Sequence, residues 1–205
     1  MIFGFVVISA FFLFLGPANV TGVVGLGYLR YFTVQSNLLL GAVMVIVFVF
    51  DLLVLIGKRK TTPRFIKVLL LTFCSTVALV MTAVFYEGEG RLIRHGETLE
   101  NAGIFMHLMT PMLTVIRVVG FEKEQQETKF YDSFFGAIPM IIYGIWYLTF
   151  ISVTNGIGQA ATDWYGSGRP TIEHRVATFF LLLFLTEVQG FAIWAGQRLV
   201  CEKFG

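Results

Sequence analysis

The sequence predicts an all-α fold, a polytopic membrane bundle of six transmembrane helices forming one domain over residues 1–205, with both termini cytoplasmic. Three observations predict it. Hydrophobic residues make up 56% of the 205 and charged ones 14%, where soluble domains carry about a quarter charged residues. Mean hydropathy is +0.77. The apolar residues also come in runs close to the ~20 that a helix needs to cross a ~30 Å hydrocarbon layer. A net charge of +2, with no basic stripe interleaved with aromatics, excludes a nucleic-acid partner.

The first span is expected over residues 2–20. Met1-Ile2-Phe3-Gly4 has no basic region and no small-residue cleavage site follows Leu15, so this segment reads as a retained helix rather than a signal peptide. Gly16-Pro17-Ala18-Asn19 interrupts its apolar run early. The second, third, fifth and sixth spans, at 31–56, 65–86, 131–153 and 176–200, are long enough to cross. The fourth, 102–120, holds His107, Thr110 and Pro111 and ends near Arg117, which suits a helix wrapped by protein rather than lipid. Pro111 is expected to bend it and free a carbonyl.

Basic residues set the direction. Lys58, Arg59, Lys60, Arg64, Lys67, Arg117, Lys123, Lys129, Arg198 and Lys203 fall on one side, and Arg30, Arg91, Arg94, Arg169 and Arg175 on the other. The richer side should be cytoplasmic. Tyr86, Tyr131, Trp164 and Tyr165 fall where interfacial anchors are expected. Cys74 lies in an apolar run and Cys201 at the far end of the chain, so both read as free thiols. With no internal repeat and no long linker, the chain reads as one bundle. Its longer outer loops, about 87–101 and 154–175, are expected to cap an outward cavity lined by spans two, four, five and six.

Polar residues inside such spans need a physical reason, because hydrocarbon offers a hydroxyl, amide or imidazole no partner. Two patches stand out, Tyr31-Phe32-Thr33-Val34-Gln35-Ser36-Asn37 and Met106-His107-Leu108-Met109-Thr110-Pro111. On the expected topology Thr33 and His107 lie at similar depth near the outer face. Ser36 and Asn37 share the face of Thr33 at i+3 and i+4, and Thr110 and Pro111 share that of His107. A threonine hydroxyl beside an imidazole is a nucleophile beside a general base, with Gln35, Ser36 or Asn37 as donors to a developing oxyanion. The structural alternative is equally concrete: membrane threonines and serines bond back to the i−4 carbonyl or join helices, and one histidine satisfies a buried partner.

Glu187 falls mid-way along span six, where a carboxylate must be neutral or partnered. It is expected to lock helices, to orient His107 or to relay protons. Asp51 and Arg117, both toward the cytoplasmic ends of their helices, are expected to pair with each other or with the basic turn, away from the site. Tyr143 and Tyr147, with Pro139 and Trp146, form a span-five stripe that either packs the core or gives an acyl chain an aromatic wall with a hydroxyl. His95, His107 and His174 lack metal-ligand spacing, so no metal is expected. No cofactor fingerprint occurs.

The two patches, together with Ile138-Pro139-Met140-Ile141-Ile142-Tyr143-Gly144-Ile145-Trp146-Tyr147, resemble the bacterial "Pr-six-Pr" integral membrane proteins. More distantly they resemble the androgen-induced family of membrane threonine hydrolases, which cleave fatty acid esters of hydroxy fatty acids. The resemblance implies a six-helix fold in the bacterial cytoplasmic membrane, with Thr33 as nucleophile and His107 as the second essential residue. Phe32 stands where the eukaryotic branch has Leu, Pro111 follows His107 by four positions rather than five, and Arg117 stands where relatives often carry an acid. The expected function is therefore intramembrane hydrolysis of a membrane lipid or fatty-acyl ester. The alternative is a non-catalytic lipid or small-molecule binding or transport protein, against which stand the small size and the lack of an inverted repeat.

Overall fold

The computed structural model describes residues 29–87, 105–121, 128–156 and 171–204, which are helical with no strand among them. Helix α1 spans Phe32–Leu55 and α2 spans Arg64–Glu87; a π-helical turn, Phe105–Met109, leads directly into α3, Thr110–Phe121. A 3-10 helix, Phe130–Gly136, runs into α4, Ala137–Val153, and α5 spans Ile172–Phe204. Four helical segments are long and apolar enough to cross a membrane: Phe32–Leu55, Arg64–Met81, Phe130–Val153 and Ile172–Lys203. They coincide with expected spans two, three, five and six. The fourth is shorter, Met106–Phe121. The segment expected as the first span, residues 2–20, lies outside the described residues, as does most of both outer loops.

Local chemistry explains the boundaries. Gly57 takes the left-handed conformation, φ 73°, and its N–H bonds back to Val54 O at 3.0 Å, closing α1 as a glycine after a helix commonly does. Pro63 precedes α2, and its carbonyl accepts the first-turn N–H of Ile66 at 3.0 Å. In span four, proline offers no N–H to the carbonyl four residues before it, that of His107, and crowds it. Widening the turn to i→i+5 pairing relieves that crowding. The expected bend at Pro111 is thus a π turn, and it contains His107.

Helix α2 is the centre of the bundle. Two thirds of its membrane window is buried, against 17% for that of α5. Leu70, Leu71, Cys74 and Val77 of α2 pack with Leu40, Val43, Met44 and Val47 of α1, Val118 of α3 and Ile193 of α5. One or two turns further along, Leu79 and Val80 join Phe32, Met140, Tyr143, Tyr147 and Ile151. Small residues bring the 3-10 helix and α5 close to α2. A Cβ on Gly136 would lie 2.8 Å from Ser75 Cβ, and one on Gly190 would lie 3.0 Å from both Ser133 O and Ser75 Oγ.

Charges follow the same economy. Asp51 accepts from Arg117 at 2.8 Å and from the Thr62 hydroxyl at 3.4 Å, the expected pairing at the basic end of the bundle. Cys74 is buried and Cys201 half-buried, and neither forms a disulfide.

Candidate functional site

The α1 patch and the His107 turn meet through one side chain. The Asn37 amide donates to Thr33 O at 2.8 Å on its own helix and to Met106 O at 3.2 Å across the gap. Met106 immediately precedes His107, so Asn37 ties the first turn of α1 to the π turn. A π turn frees backbone carbonyls from the regular ladder, which is why such turns recur at functional sites.

The hydroxyls here behave unlike those elsewhere in the bundle. Thr72, Ser75, Thr76, Thr114 and Thr186 each donate to the i−4 carbonyl, at 2.7–2.9 Å. The Thr110 hydroxyl is buried and has no partner among the described residues, and neither has the Asn37 Oδ1. Leu29, four residues before Thr33, has its carbonyl taken by Gln35 Nε2 at 2.7 Å, and no hydrogen bond engages the Thr33 hydroxyl among the described residues. Thr33 and His107 are both partly accessible. Unpaired polar atoms in a membrane interior are costly, and two of them, Asn37 Oδ1 and Thr110 Oγ1, belong to the two helices that meet here.

Ser36 and Asn37 have no side-chain donor left over for a substrate oxyanion in this structure. The Ser36 hydroxyl donates to Thr33 O at 3.0 Å, and the Asn37 amide hydrogens go to the two carbonyls just named. The donor that sequence reasoning overlooked is the backbone. Tyr31, the N-cap of α1, contributes no side-chain cap, while the N–H groups of Val34 and Gln35 both reach Tyr31 O at 3.1 Å. The N–H of Thr33 lies in this first turn, where a helix has no internal acceptor and carries the positive end of its dipole. An N-cap of Tyr, rather than Ser, Thr, Asp or Asn, was the sequence signal for it.

A groove of about 930 Å³ runs beside this junction, between α1, α2 and the 3-10 helix with α4. One end is formed by Phe32, Gln35, Ser36 and Tyr143, and the groove's walls are apolar. Phe65 and Ile142, each 65% exposed, stand on its edge, so it opens sideways. It differs from the expected cavity: α2 lines it, whereas α3 and α5 do not, because α2 is the helix against which the others pack. At about 100° per residue, Thr33 and Asn37 face the π turn while Phe32, Gln35 and Leu39 face the groove, with Ser36 on the boundary.

Tyr143 belongs to this end. It lines the groove, donates to Arg30 O at 2.7 Å and packs at 5.0 Å from Phe32 and 5.4 Å from Trp146. Tyr147 stacks on Tyr143 at 6.2 Å and is buried in the core, outside the groove lining. Glu187 lies elsewhere, with its carboxylate near the Ala137 backbone at the start of α4, and its Oε2 is buried without a partner among the described residues. No group of three or more His, Cys, Asp or Glu able to hold a metal occurs among the described residues.

No protein-family model, curated protein or solved structure matches the chain.

Proposed function

We propose that this membrane protein is a lipid-ester hydrolase acting at the junction of α1 with the π turn. The observation that carries the reading is the Asn37 bridge, which fastens the turn bearing Thr33 to the turn bearing His107 at a place where hydroxyls remain unpaired. The resemblance at the two motifs supports it. An acyl chain lies in the groove, and its ester passes Ser36 to reach Thr33 over the open end of α1. The Thr33 Oγ attacks the acyl carbonyl while His107 takes its proton; the Thr33 N–H, unlike those of Val34 and Gln35 that reach Tyr31 O, receives the developing oxyanion. His107 then returns the proton to the departing alkoxide, leaving acyl-Thr33. Water, deprotonated by His107, attacks that ester, and the fatty acid leaves as the Thr33 hydroxyl is restored. In the same proposal residues 2–20 form a sixth span and the basic side is cytoplasmic; a reporter fused after Gly205 reads that orientation.

The test is hydrolysis of lipid esters by purified protein, with Thr33→Ala and His107→Ala alongside. Both variants should lose about 10²–10⁴-fold in turnover. Unchanged turnover in both removes the mechanism.

A second reading, lipid or small-molecule binding or transport without chemistry, is favoured by one observation, the unpartnered Glu187 Oε2 inside the bundle. Proton-dependent uptake abolished by Glu187→Gln, in protein without esterase activity, selects it.

A further inference from the structure

The end of the groove away from Thr33 is charged. There Asp132, with a side chain 1% exposed, accepts two bonds from Arg64 Nη2, at 2.7 and 2.8 Å, and a third from the backbone N–H of Lys129 at 2.7 Å. The carboxylate is spoken for. Arg64 keeps the donors on Nη1 and Nε outside that bond, and its side chain is 44% exposed. Its guanidinium lies 5.8 Å from the Tyr131 ring centre and the Lys129 ammonium 5.6 Å from the same ring. Two cations therefore flank one exposed aromatic at the mouth of an apolar trough that opens sideways.

We propose that this mouth seats an anionic phospholipid, with its phosphate between Arg64 and Lys129 and one acyl chain along Phe65, Val68, Ile138 and Ile142. Charge selects this occupant. The two described segments flanking the mouth, 56–67 and 128–132, carry six Lys and Arg against the single acid Asp132, so a surplus remains after Asp132 is paired. A zwitterionic head would bring a cation of its own, and Asp132, buried and already accepting three bonds, has nothing to offer it. Tyrosine with basic residues beside it is the chemistry of the headgroup layer. The seat shares the groove with the proposed acyl path and rests on the groove's shape and charge, independently of the chemistry at Thr33.

Native mass spectrometry of the full-length Thr33→Ala protein, released from micelles containing equal phosphatidylglycerol and phosphatidylcholine, tests it without any esterase step. Phosphatidylglycerol should be retained preferentially. Lys129→Gln, an exposed change that leaves the Asp132 carboxylate paired with Arg64, should weaken that retention about five-fold. Ile142→Trp, which fills the groove from its exposed edge, should abolish retention of both lipids. Equal retention of the two lipids, retention untouched by Ile142→Trp, or no retained lipid because another part of the chain or a second copy covers the groove, overturns the assignment.

Discussion

Two polar regions of the bundle use the same residue types and finish their hydrogen bonds differently. Between α2, the 3-10 helix and α5, Ser75, Ser133 and Thr186 are each 0–1% exposed and donate to Leu71 O, Phe130 O and Leu182 O at 2.8, 2.6 and 2.8 Å. Between α1 and the π turn, the Thr110 hydroxyl and Asn37 Oδ1 are buried without partners among the described residues. The first region is joinery: back-bonded hydroxyls cost little and leave small surfaces against which Gly136 and Gly190 close. The second is joined by the Asn37 tether, and polar atoms there are left without partners among the described residues. A hydroxyl in a membrane interior therefore says little by its presence; where its hydrogen bond goes separates packing from the candidate site.

That contrast is most exposed to substitution at Thr33. Thr33→Ala should abolish lipid-ester turnover, a loss of about 10²–10⁴-fold, while the midpoint of thermal unfolding in detergent stays where it was. A joint loss of stability would place Thr33 with the joinery. Gly136→Ala should do the reverse: its new Cβ, 2.8 Å from Ser75 Cβ, should cost about 1–3 kcal/mol of stability by overpacking, and Ser75→Gly should return part of it, as a double-mutant cycle would show. Asn37→Ala tests the tether between the two kinds of region. It leaves Met106 O without its amide partner, so stability should fall by only about 1 kcal/mol, yet turnover should fall up to about 10²-fold as the two turns lose register. The smallest effect sharpens the comparison most finely. Thr186→Val removes a satisfied hydroxyl and should cost about 0.5–1.5 kcal/mol, whereas Thr110→Val removes an unsatisfied one and should be neutral or stabilising in the same unfolding assay.

Much of this was legible in the residues. Hydropathy located the helices from Phe32 onward, and the Asp51–Arg117 pair followed from two opposite charges at the same end of apolar runs. The spacing of Thr33, Asn37 and His107 suggested two polar faces at one depth, and Asn37 reaches the carbonyl of Met106, the residue before His107. Other features depend on tertiary choices that periodicity does not encode. Nothing in the sequence says that α2 is central, so a groove lined by α2 was not anticipated. Ser36 and Asn37 looked like free donors because a sequence shows the side chain but not the carbonyl that captures it. Glu187 left three roles open, locking helices, orienting His107 or relaying protons, because a sequence does not show which helix a side chain meets; its carboxylate lies near the Ala137 backbone at the start of α4. The proline was visible, but the π turn it imposes on His107 was expected only as a bend.

The claim that Thr33 and His107 work as nucleophile and base is tested most directly by trapping. Purified protein treated with a lipid-like fluorophosphonate and digested for mass spectrometry should carry the phosphonyl group on Thr33, and His107→Ala should lose the label while remaining folded. A label on any other residue, or lipid-ester turnover that persists with Thr33 unmodified, contradicts the account.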